Sequence, residues 1–192
     1  MKNMLKLGLT LALYATAACV GLAFVYAGTS EVIKARQQAD LEAALVELFP
    51  GTDGFSDITA QVKSPVNAII FQTIYEVKKA DAVLGLAVQA TGPSYGGPIK
   101  ILTGVGIDGK ITRVKILEHT DTPGLGANAA SPVYYVDKAN KTTFMGQFDG
   151  KSTSDPFEVK EDVIAITAST ITSRGVANVV KASADAAMAY LK

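Results

Sequence analysis

The sequence has 192 residues, with 18 basic and 18 acidic side chains and therefore no formal net charge. A chain without a basic surplus is not expected to bind nucleic acid, because phosphate binding requires a basic surface. One cysteine, Cys19, excludes an internal disulfide, and the single histidine, His119, leaves too few ligands for a zinc or iron–sulfur centre. We therefore expect no metal site, and any redox chemistry must come from an organic cofactor or a partner protein.

The N-terminal segment is apolar. Leu7 to Ala27 contains no charged residue, and its 21 residues span the roughly 30 Å of a bilayer core at about 1.5 Å each. Lys2 and Lys6 precede it, so the positive-inside rule predicts a single-pass protein of the inner (cytoplasmic) membrane with a cytoplasmic N-terminus and an extracytoplasmic domain. The alternative is a cleaved signal peptide, for which Val25-Tyr26-Ala27 offers a small-residue cleavage site. The length of the apolar run favours the anchor.

A second helix is predicted directly after the anchor. Ser30 can cap it, and Pro50-Gly51 ends it near Phe49. Its apolar residues recur at helical spacing in a moderate stripe. We therefore predict three parts: a cytoplasmic N-terminus and membrane anchor over residues 1–28, a linker helix over 29–50, and an extracytoplasmic domain over 51–192.

Four runs of strand-like composition follow in the domain. A predicted turn at Ala80-Asp81 separates the first two runs. The last two flank Asp108-Gly109, and an Asp-Gly pair between alternating runs is the strongest short-range hairpin signal. The runs cover residues 70–78, 82–90, 99–107 and 110–117.

The remaining residues are predicted to add two helices and one strand to this sheet. Ser131-Pro132 has the pattern of an N-cap and first helical residue, which predicts a short helix ending near Ala139. A loop-rich connection over 144–157 leads to a short buried strand over 163–167. From Arg174 onward, apolar and small residues recur at helical spacing and predict a closing helix. The fold class is therefore α+β, a central antiparallel sheet with flanking helices.

Three segments of the domain combine glycine, proline and hydroxyl residues in tight patterns. A serine or threonine before a helix is ordinarily its N-cap, but a cap explains one hydroxyl and not the four that precede the closing helix. The segments are Gly92-Pro93-Ser94-Tyr95-Gly96-Gly97-Pro98-Ile99, His119-Thr120-Asp121-Thr122-Pro123-Gly124-Leu125-Gly126, and Thr167-Ala168-Ser169-Thr170-Ile171-Thr172, the last followed by Ser173-Arg174.

In this order and behind one membrane span, the three segments resemble the motifs of the FMN-binding domain family over essentially the whole chain. The family patterns are Gly-Tyr-Gly-Gly, His-x-Glu-Thr-Pro-Gly-Leu-Gly, and Ser/Thr-Gly-Ala-Thr/Ser-x-Thr. Two of the motifs depart from these patterns: Ala168-Ser169 stands for Gly-Ala, and Asp121 stands for the usual Glu. An Asp that often precedes the third motif is also out of register here, with Asp162 nearby and Ile164 in its place.

The resemblance implies that Thr172 carries FMN through a phosphoester made by a flavin transferase. That enzyme must reach the hydroxyl, so we expect Thr172 in a loop and not in the core. The first amides of the following helix are suited to a phosphate, because a helix N-terminus concentrates free N–H donors. Candidate phosphate contacts are Ser169, Thr170, Ser173 and Arg174.

The other two motifs supply candidates for contact with the flavin ring. The loop Thr122, Pro123, Gly124, Leu125 and Gly126 can lie flat against a ring and offer N–H groups, although a tight surface turn explains the same residues. Tyr95 and Gly96 can place an aromatic ring beside the flavin or cover the edge of the core. His119 can tune the flavin or bind its phosphate, or serve as a structural hydrogen-bonding residue.

The overall layout resembles the G subunits of Rnf complexes, whose close relatives are the C subunits of Na⁺-pumping NADH:quinone reductases. This resemblance implies an electron-transfer subunit of an ion-translocating ferredoxin:NAD⁺ oxidoreductase, with membrane and iron–sulfur subunits as partners. The sequence has neither an acid–base pair nor a nucleotide-binding glycine fingerprint, so we predict no catalytic residues in this chain alone. Two alternatives are a free-standing, membrane-anchored extracytoplasmic flavoprotein and a cofactor-free anchored binding or assembly module.

Overall fold

The structure is a computed structural model that describes residues 2–62, 68–80 and 82–191. The chain divides into two compact units, residues 1–42 and 43–192. Every described residue of the first unit belongs to helix α1, which begins at Lys2 and ends at Leu48. Among the described residues this is the one helix long and apolar enough to cross a membrane.

Helix α1 runs without a break through the predicted junction between anchor and linker. Ser30 does not start a new helix, because no proline interrupts the segment, and Thr29 Oγ1 donates a hydrogen bond to the carbonyl of Val25 one turn earlier. The predicted linker helix is therefore the continuation of the anchor helix. The second unit begins at Ala43, inside α1. The division at residues 28 and 50 stays a prediction.

The second unit is built on a five-stranded antiparallel sheet in chain order, which confirms the predicted α+β class. The predicted hairpin at Asp108-Gly109 is present: Gly109 adopts a φ of +73° and donates a backbone hydrogen bond to Gly106. In the other predicted turn, Asp81 lies outside the described residues. The strands are β1 (Gly54–Asp57), β2 (Ile70–Lys79), β3 (Ala82–Pro93), β4 (Pro98–Gly106) and β5 (Ile111–Glu118).

Strand β4 is buried on both faces, and this places the core. Ile101 and Val105 belong to one hydrophobic cluster with Val176 and Val180 of the C-terminal helix α2, Thr170–Leu191. On the opposite face, a Cβ atom added to Gly104 would contact side chains at the end of α1. Residues 101–106 are therefore all buried, as expected for a strand covered from both sides.

Two predicted elements are absent from the described part of the domain. The Ser-Pro pair forms a turn and not a helix start, because Ser131 Oγ accepts hydrogen bonds from the amides of Val133 and Tyr134 and the chain then extends into strand β6 (Tyr135–Asp137). Strand β6 pairs with β7 (Thr142–Thr143). The predicted strand over 163–167 is reduced to a single bridge between Val159 and Val163.

The start of α2 lies against the end of β3, and this contact positions the hydroxyl run. The helix begins at Thr170, four residues earlier than predicted, so the run continues into its first turn. A Cβ atom on Gly175 would lie 2.5 Å from the carbonyl oxygen of Pro93, and one on Gly92 would lie 2.4 Å from Val179 Cγ2. Only glycine permits so close an approach, which brings the third motif beside the first.

Candidate functional site

A single carboxylate joins the three motifs. Asp121 is 6% exposed. Its Oδ2 accepts a hydrogen bond of 2.6 Å from Ser94 Oγ, and its Oδ1 accepts one of 2.9 Å from the Gly96 amide and one of 3.0 Å from Thr172 Oγ1. Two donors, Ser94 and Gly96, come from the turn after β3, and Thr172 comes from the first turn of α2. Residues far apart in the sequence therefore meet at one buried acid.

Two glycines set the distances around this carboxylate. A Cβ atom on Gly126 would lie 2.6 Å from Thr172 Oγ1 and 2.8 Å from Asp121 Cγ. A Cβ atom on Gly96 would lie 2.5 Å from the Thr120 carbonyl oxygen. A side chain at Gly96 would displace backbone atoms, and one at Gly126 would displace the Thr172 or Asp121 side chain, so the glycines of the first two motifs allow the segments to close around Asp121.

A cavity of about 390 Å³ opens above Thr172 and Asp121. Its volume lies in the range of small-molecule sites. Tyr95 and Ile171 are exposed at 71% and 58% and give the cavity an apolar rim with Leu125. The lining consists of seven predicted residues, Tyr95, Thr122, Leu125, Gly126, Ser169, Thr170 and Thr172, and three that were not predicted, Asp121, Ala168 and Ile171.

The other predicted residues do not line the cavity. Ser173 is fully buried: its hydroxyl donates to the Ser169 carbonyl and accepts from the Ile166 amide, so it braces the start of α2. Gly96 contributes its amide to Asp121 and nothing to the lining. The Nδ1 atom of His119 is buried without a hydrogen-bond partner among the described residues. The remaining predicted residues, Pro123, Gly124 and Arg174, are exposed.

Thr172 lies in a place that the sequence reasoning did not expect. It was predicted in an accessible loop, but it is 1% exposed and is the third residue of α2. The difference arises because α2 begins early and because Thr172 Oγ1 donates into the buried carboxylate of Asp121. Its hydroxyl therefore forms part of the cavity floor, and a reagent must reach it through the cavity.

The helix terminus supplies amide donors at this floor. Ser173 N donates to the Ser169 carbonyl across one helical turn, so the three preceding amides, of residues 170–172, have no helical acceptor. Such amides and the local dipole favour an anionic group. The hydroxyls of Ser169 and Thr170 add further donors. The start of α2 thus fits a phosphate ester.

The charge of the cavity limits how a phosphate can be held. Among the lining residues Asp121 is the only charged side chain, and none is lysine, arginine or histidine. A phosphate held by contacts alone would lie near a carboxylate without a compensating cation. The lining therefore offers a phosphate amide and hydroxyl donors but no cationic side chain. Among the described residues no group of His, Cys, Asp and Glu could hold a metal ion.

Asp121 is a candidate site residue that the sequence alone does not reveal. It stood in a motif as the substitute for a usual Glu, but no local pattern connects it with Thr172, 51 positions later. Ala168 has an unusual backbone conformation. Its φ is +60°, at the position where the family pattern has glycine. A left-handed alanine at a site is a mark of local strain.

Comparisons with known proteins identify the family of this chain. The family model for the FMN-binding domain matches residues 94–185, and the model for the RnfG N-terminal region matches residues 1–48. The chain is 32% identical over 95% of its length to the G subunit of the Na⁺-translocating ferredoxin:NAD⁺ oxidoreductase complex of Acetobacterium woodii, and it covers 90% of that protein. The match to the FMN-binding domain therefore supports FMN as the cofactor.

Two further comparisons set the extent of the similarity. The G subunit of the ion-translocating oxidoreductase complex of Cereibacter sphaeroides is 32% identical over 78% of this chain, and the chain covers 65% of that protein, which is less than two thirds. Among solved structures, Shewanella oneidensis NqrC aligns with a TM-score of 0.47 and 20% identity, covering 74% of this chain and 70% of that one.

Proposed function

We propose that this chain, which belongs to the family of G subunits of ion-translocating oxidoreductase complexes, is the electron-transfer subunit of an Rnf-type ferredoxin:NAD⁺ oxidoreductase. Its FMN is linked by a phosphoester to Thr172. The observation that carries the proposal is the cavity in which the three motifs meet at Asp121 and Thr172. The chain is not catalytic alone and acts as a subunit of a translocase.

Within this proposal each part of the cavity has a task. Thr172 ties the phosphate to the first turn of α2, where the free amides face it. Tyr95, Leu125 and Ile171 form an apolar edge against which the ring packs. FMN accepts two electrons and releases them singly, and the protein tethers, orients and tunes it. A covalent link keeps the cofactor on a domain that lies outside the cytoplasm.

The N-terminal apolar helix supports a location in the cell membrane. Lys2 and Lys6 before the apolar run favour a cytoplasmic N-terminus, with the second unit on the extracytoplasmic side of the cell membrane. Membrane and iron–sulfur subunits of the complex are the proposed redox partners, and a flavin transferase matures the chain. Residues 7–27 contain no charge, so this helix does not itself carry ions and the partners supply the pathway.

The test is covalent flavin on the full-length chain co-expressed with a flavin transferase. Wild type, Thr172→Ala and Thr172→Ser are denatured and compared by in-gel flavin fluorescence and intact mass. We expect fluorescence and a mass gain of FMN less one water in wild type, none in the Ala variant, and a retained adduct in the Ser variant. A wild type without flavin contradicts the proposal and favours the cofactor-free module.

A second measurement separates the complex from a free-standing flavoprotein. The tagged chain is purified from its native membrane in mild detergent, and the associated proteins are identified. Recovery of integral membrane and iron–sulfur subunits in fixed proportion supports the Rnf-type assembly. A chain that carries flavin but purifies without these subunits supports the free-standing flavoprotein.

A further inference from the structure

We propose that Asp121 is the general base that removes the Thr172 hydroxyl proton when the flavin is attached. This inference rests on the proposed function, because it concerns the reaction that creates the phosphoester. It assigns to the acceptor chain a chemical step that a maturation enzyme would otherwise supply alone.

The first support is the geometry of the reacting hydroxyl. Thr172 Oγ1 lies 3.0 Å from Asp121 Oδ1 and is the donor, since an ionised carboxylate only accepts hydrogen bonds. This distance is within the reach required of a base and the proton that it takes. Both residues line the same cavity, so the proton already points at the base while the oxygen lies at the floor that a reagent must reach.

The second support is the way in which the carboxylate is held. Ser94 Oγ and the Gly96 amide fix one donor on each oxygen of Asp121, so its plane is set before any reagent arrives. All three described donors are neutral hydroxyl or amide groups. These bonds hold Asp121 Oδ1 toward Thr172 Oγ1, and no cationic side chain takes part in them.

The step balances as a group transfer. Free FMN would have to expel hydroxide to form the ester, so the donor must be an activated flavin phosphate, namely flavin adenine dinucleotide. The bond that forms joins Thr172 Oγ1 to the FMN phosphorus, and the bond that breaks joins that phosphorus to the oxygen of the leaving AMP. The Thr172 proton passes to Asp121 and then to solvent or the leaving phosphate. Nothing is oxidised or reduced.

A purely structural role for Asp121 makes a different prediction. Asparagine can keep all three hydrogen bonds, because its Oδ1 can accept from Gly96 and Thr172 while its amide donates to the Ser94 hydroxyl. If Asp121 only holds the three motifs in contact, the Asp121→Asn variant will accept flavin at the wild-type rate. If Asp121 is the base, the variant will fold but accept flavin slowly.

The experiment measures the initial rate of flavin attachment to the full chain in detergent, with purified flavin transferase and saturating flavin adenine dinucleotide. Fluorescence of the denatured protein and intact mass give the rate. The variants are Asp121→Asn, Asp121→Glu, which keeps a carboxylate, and Asp162→Asn as matched control. Asp162 is a second carboxylate that braces a loop and does not line the cavity. Thermal unfolding confirms that each variant is folded at the assay temperature.

We expect Asp121→Asn to slow attachment by about 100-fold or more, the usual contribution of a positioned base, with Asp121→Glu within about tenfold and Asp162→Asn within about threefold of wild type. A normal rate in Asp121→Asn overturns the inference and leaves the proposed function intact. A Glu variant no faster than the Asn variant, or an equal loss in Asp162→Asn, also overturns it. A wild type that accepts no flavin overturns both proposals.

Discussion

Asp121 and Asp162 are two carboxylates that brace loops of the same domain in different ways. Asp162 accepts hydrogen bonds from Lys151 Nζ at 2.8 Å and from the amides of Phe157 and Glu158 at 3.2 and 2.6 Å. Asp121 accepts three bonds of similar length, but from neutral donors, and one of these is the Thr172 hydroxyl at the cavity floor. The two carboxylates therefore differ in one partner: Asp162 is paired with a lysine ammonium, and Asp121 accepts a hydrogen bond from the Thr172 hydroxyl.

The environment of Asp162 also affects the acidity of its carboxyl group. Burial opposes ionisation of Asp162, but the Lys151 ammonium and the amides of Glu158 and Phe157 outweigh it and lower the pKa of its carboxyl below the ordinary value of 3.8. The stem of Lys151 also places its ammonium 5.8 Å from the centre of the Phe157 ring. Asp162 is therefore ionised at neutral pH and contributes to the stability of its loop.

The largest effect is expected at Gly126, which lies against both Thr172 and Asp121. Gly126→Ala places a methyl group 2.6 Å from Thr172 Oγ1 and 2.8 Å from Asp121 Cγ, so one of these two side chains must move and their hydrogen bond is disturbed. We expect a loss of about 2–3 kcal/mol in the free energy of unfolding and little flavin attachment. Gly54→Ala is the control, since a Cβ there contacts nothing within 4 Å. Normal attachment in Gly126→Ala would contradict the tight geometry.

The next effect tests the structural carboxylate. Asp162→Asn removes the ion pair with Lys151 and weakens two backbone hydrogen bonds. We expect a loss of about 1–2 kcal/mol of stability, measured by chemical unfolding, because hydrogen bonds to a partly buried charge are lost. The variant should still accept flavin at nearly the wild-type rate. Asp121→Asn should show the opposite pattern, so a shared pattern in the two variants would remove the distinction between the sites.

The pH dependence of stability sharpens the same contrast. The folded-state pKa of Asp162 lies below its unfolded value, so its stabilisation is fully present above the unfolded value of about 3.8 and is lost as the pH falls through the folded pKa. The difference in unfolding free energy between wild type and Asp162→Asn should therefore be constant near neutral pH and shrink below about pH 3.8. A difference that persists unchanged at lower pH would show that charge is not its cause.

The smallest effect concerns strain beside the cavity. Ala168 has a φ of +60°, a conformation that costs a non-glycine residue about 1–2 kcal/mol. Ala168→Gly removes that cost but makes the unfolded chain more flexible, so we expect a net stabilisation of about 0.5–1 kcal/mol by thermal unfolding. Ala139→Gly, at an exposed turn residue without positive φ, should give no gain. An equal change in stability at both positions would show that the backbone of Ala168 is not strained.

The sheet and its closing helix could be predicted because their signals are local. The Asp108-Gly109 turn and the apolar runs beside it specify the hairpin within neighbouring residues. Ser131-Pro132 was misread because a side chain that accepts amide hydrogen bonds starts a helix and a turn in the same way. The early start of α2 could not be predicted because Thr and Ser have weak helix propensity, although the Ser173 amide closes the first turn on the Ser169 carbonyl.

The site was predictable as a set of motifs but not as an arrangement. Seven predicted residues line one cavity. They could be predicted because each belongs to a recognisable local pattern. The burial of Thr172 and the role of Asp121 depend on a contact across 51 positions, which no local pattern encodes. Ser173 illustrates the reverse: its hydroxyl belongs to the motif, but the helix directs it into the core.

The most direct test is the position of the flavin within the hydroxyl run. Trypsin cleavage after Lys160 and Arg174 releases a peptide that contains Thr167, Ser169, Thr170, Thr172 and Ser173 together. Fragmentation of this peptide from the flavinylated full-length chain assigns the added mass to one side chain. We predict FMN less one water on Thr172. The same mass on Thr170 or Ser169, or an unmodified peptide from a fluorescent protein, would contradict the account.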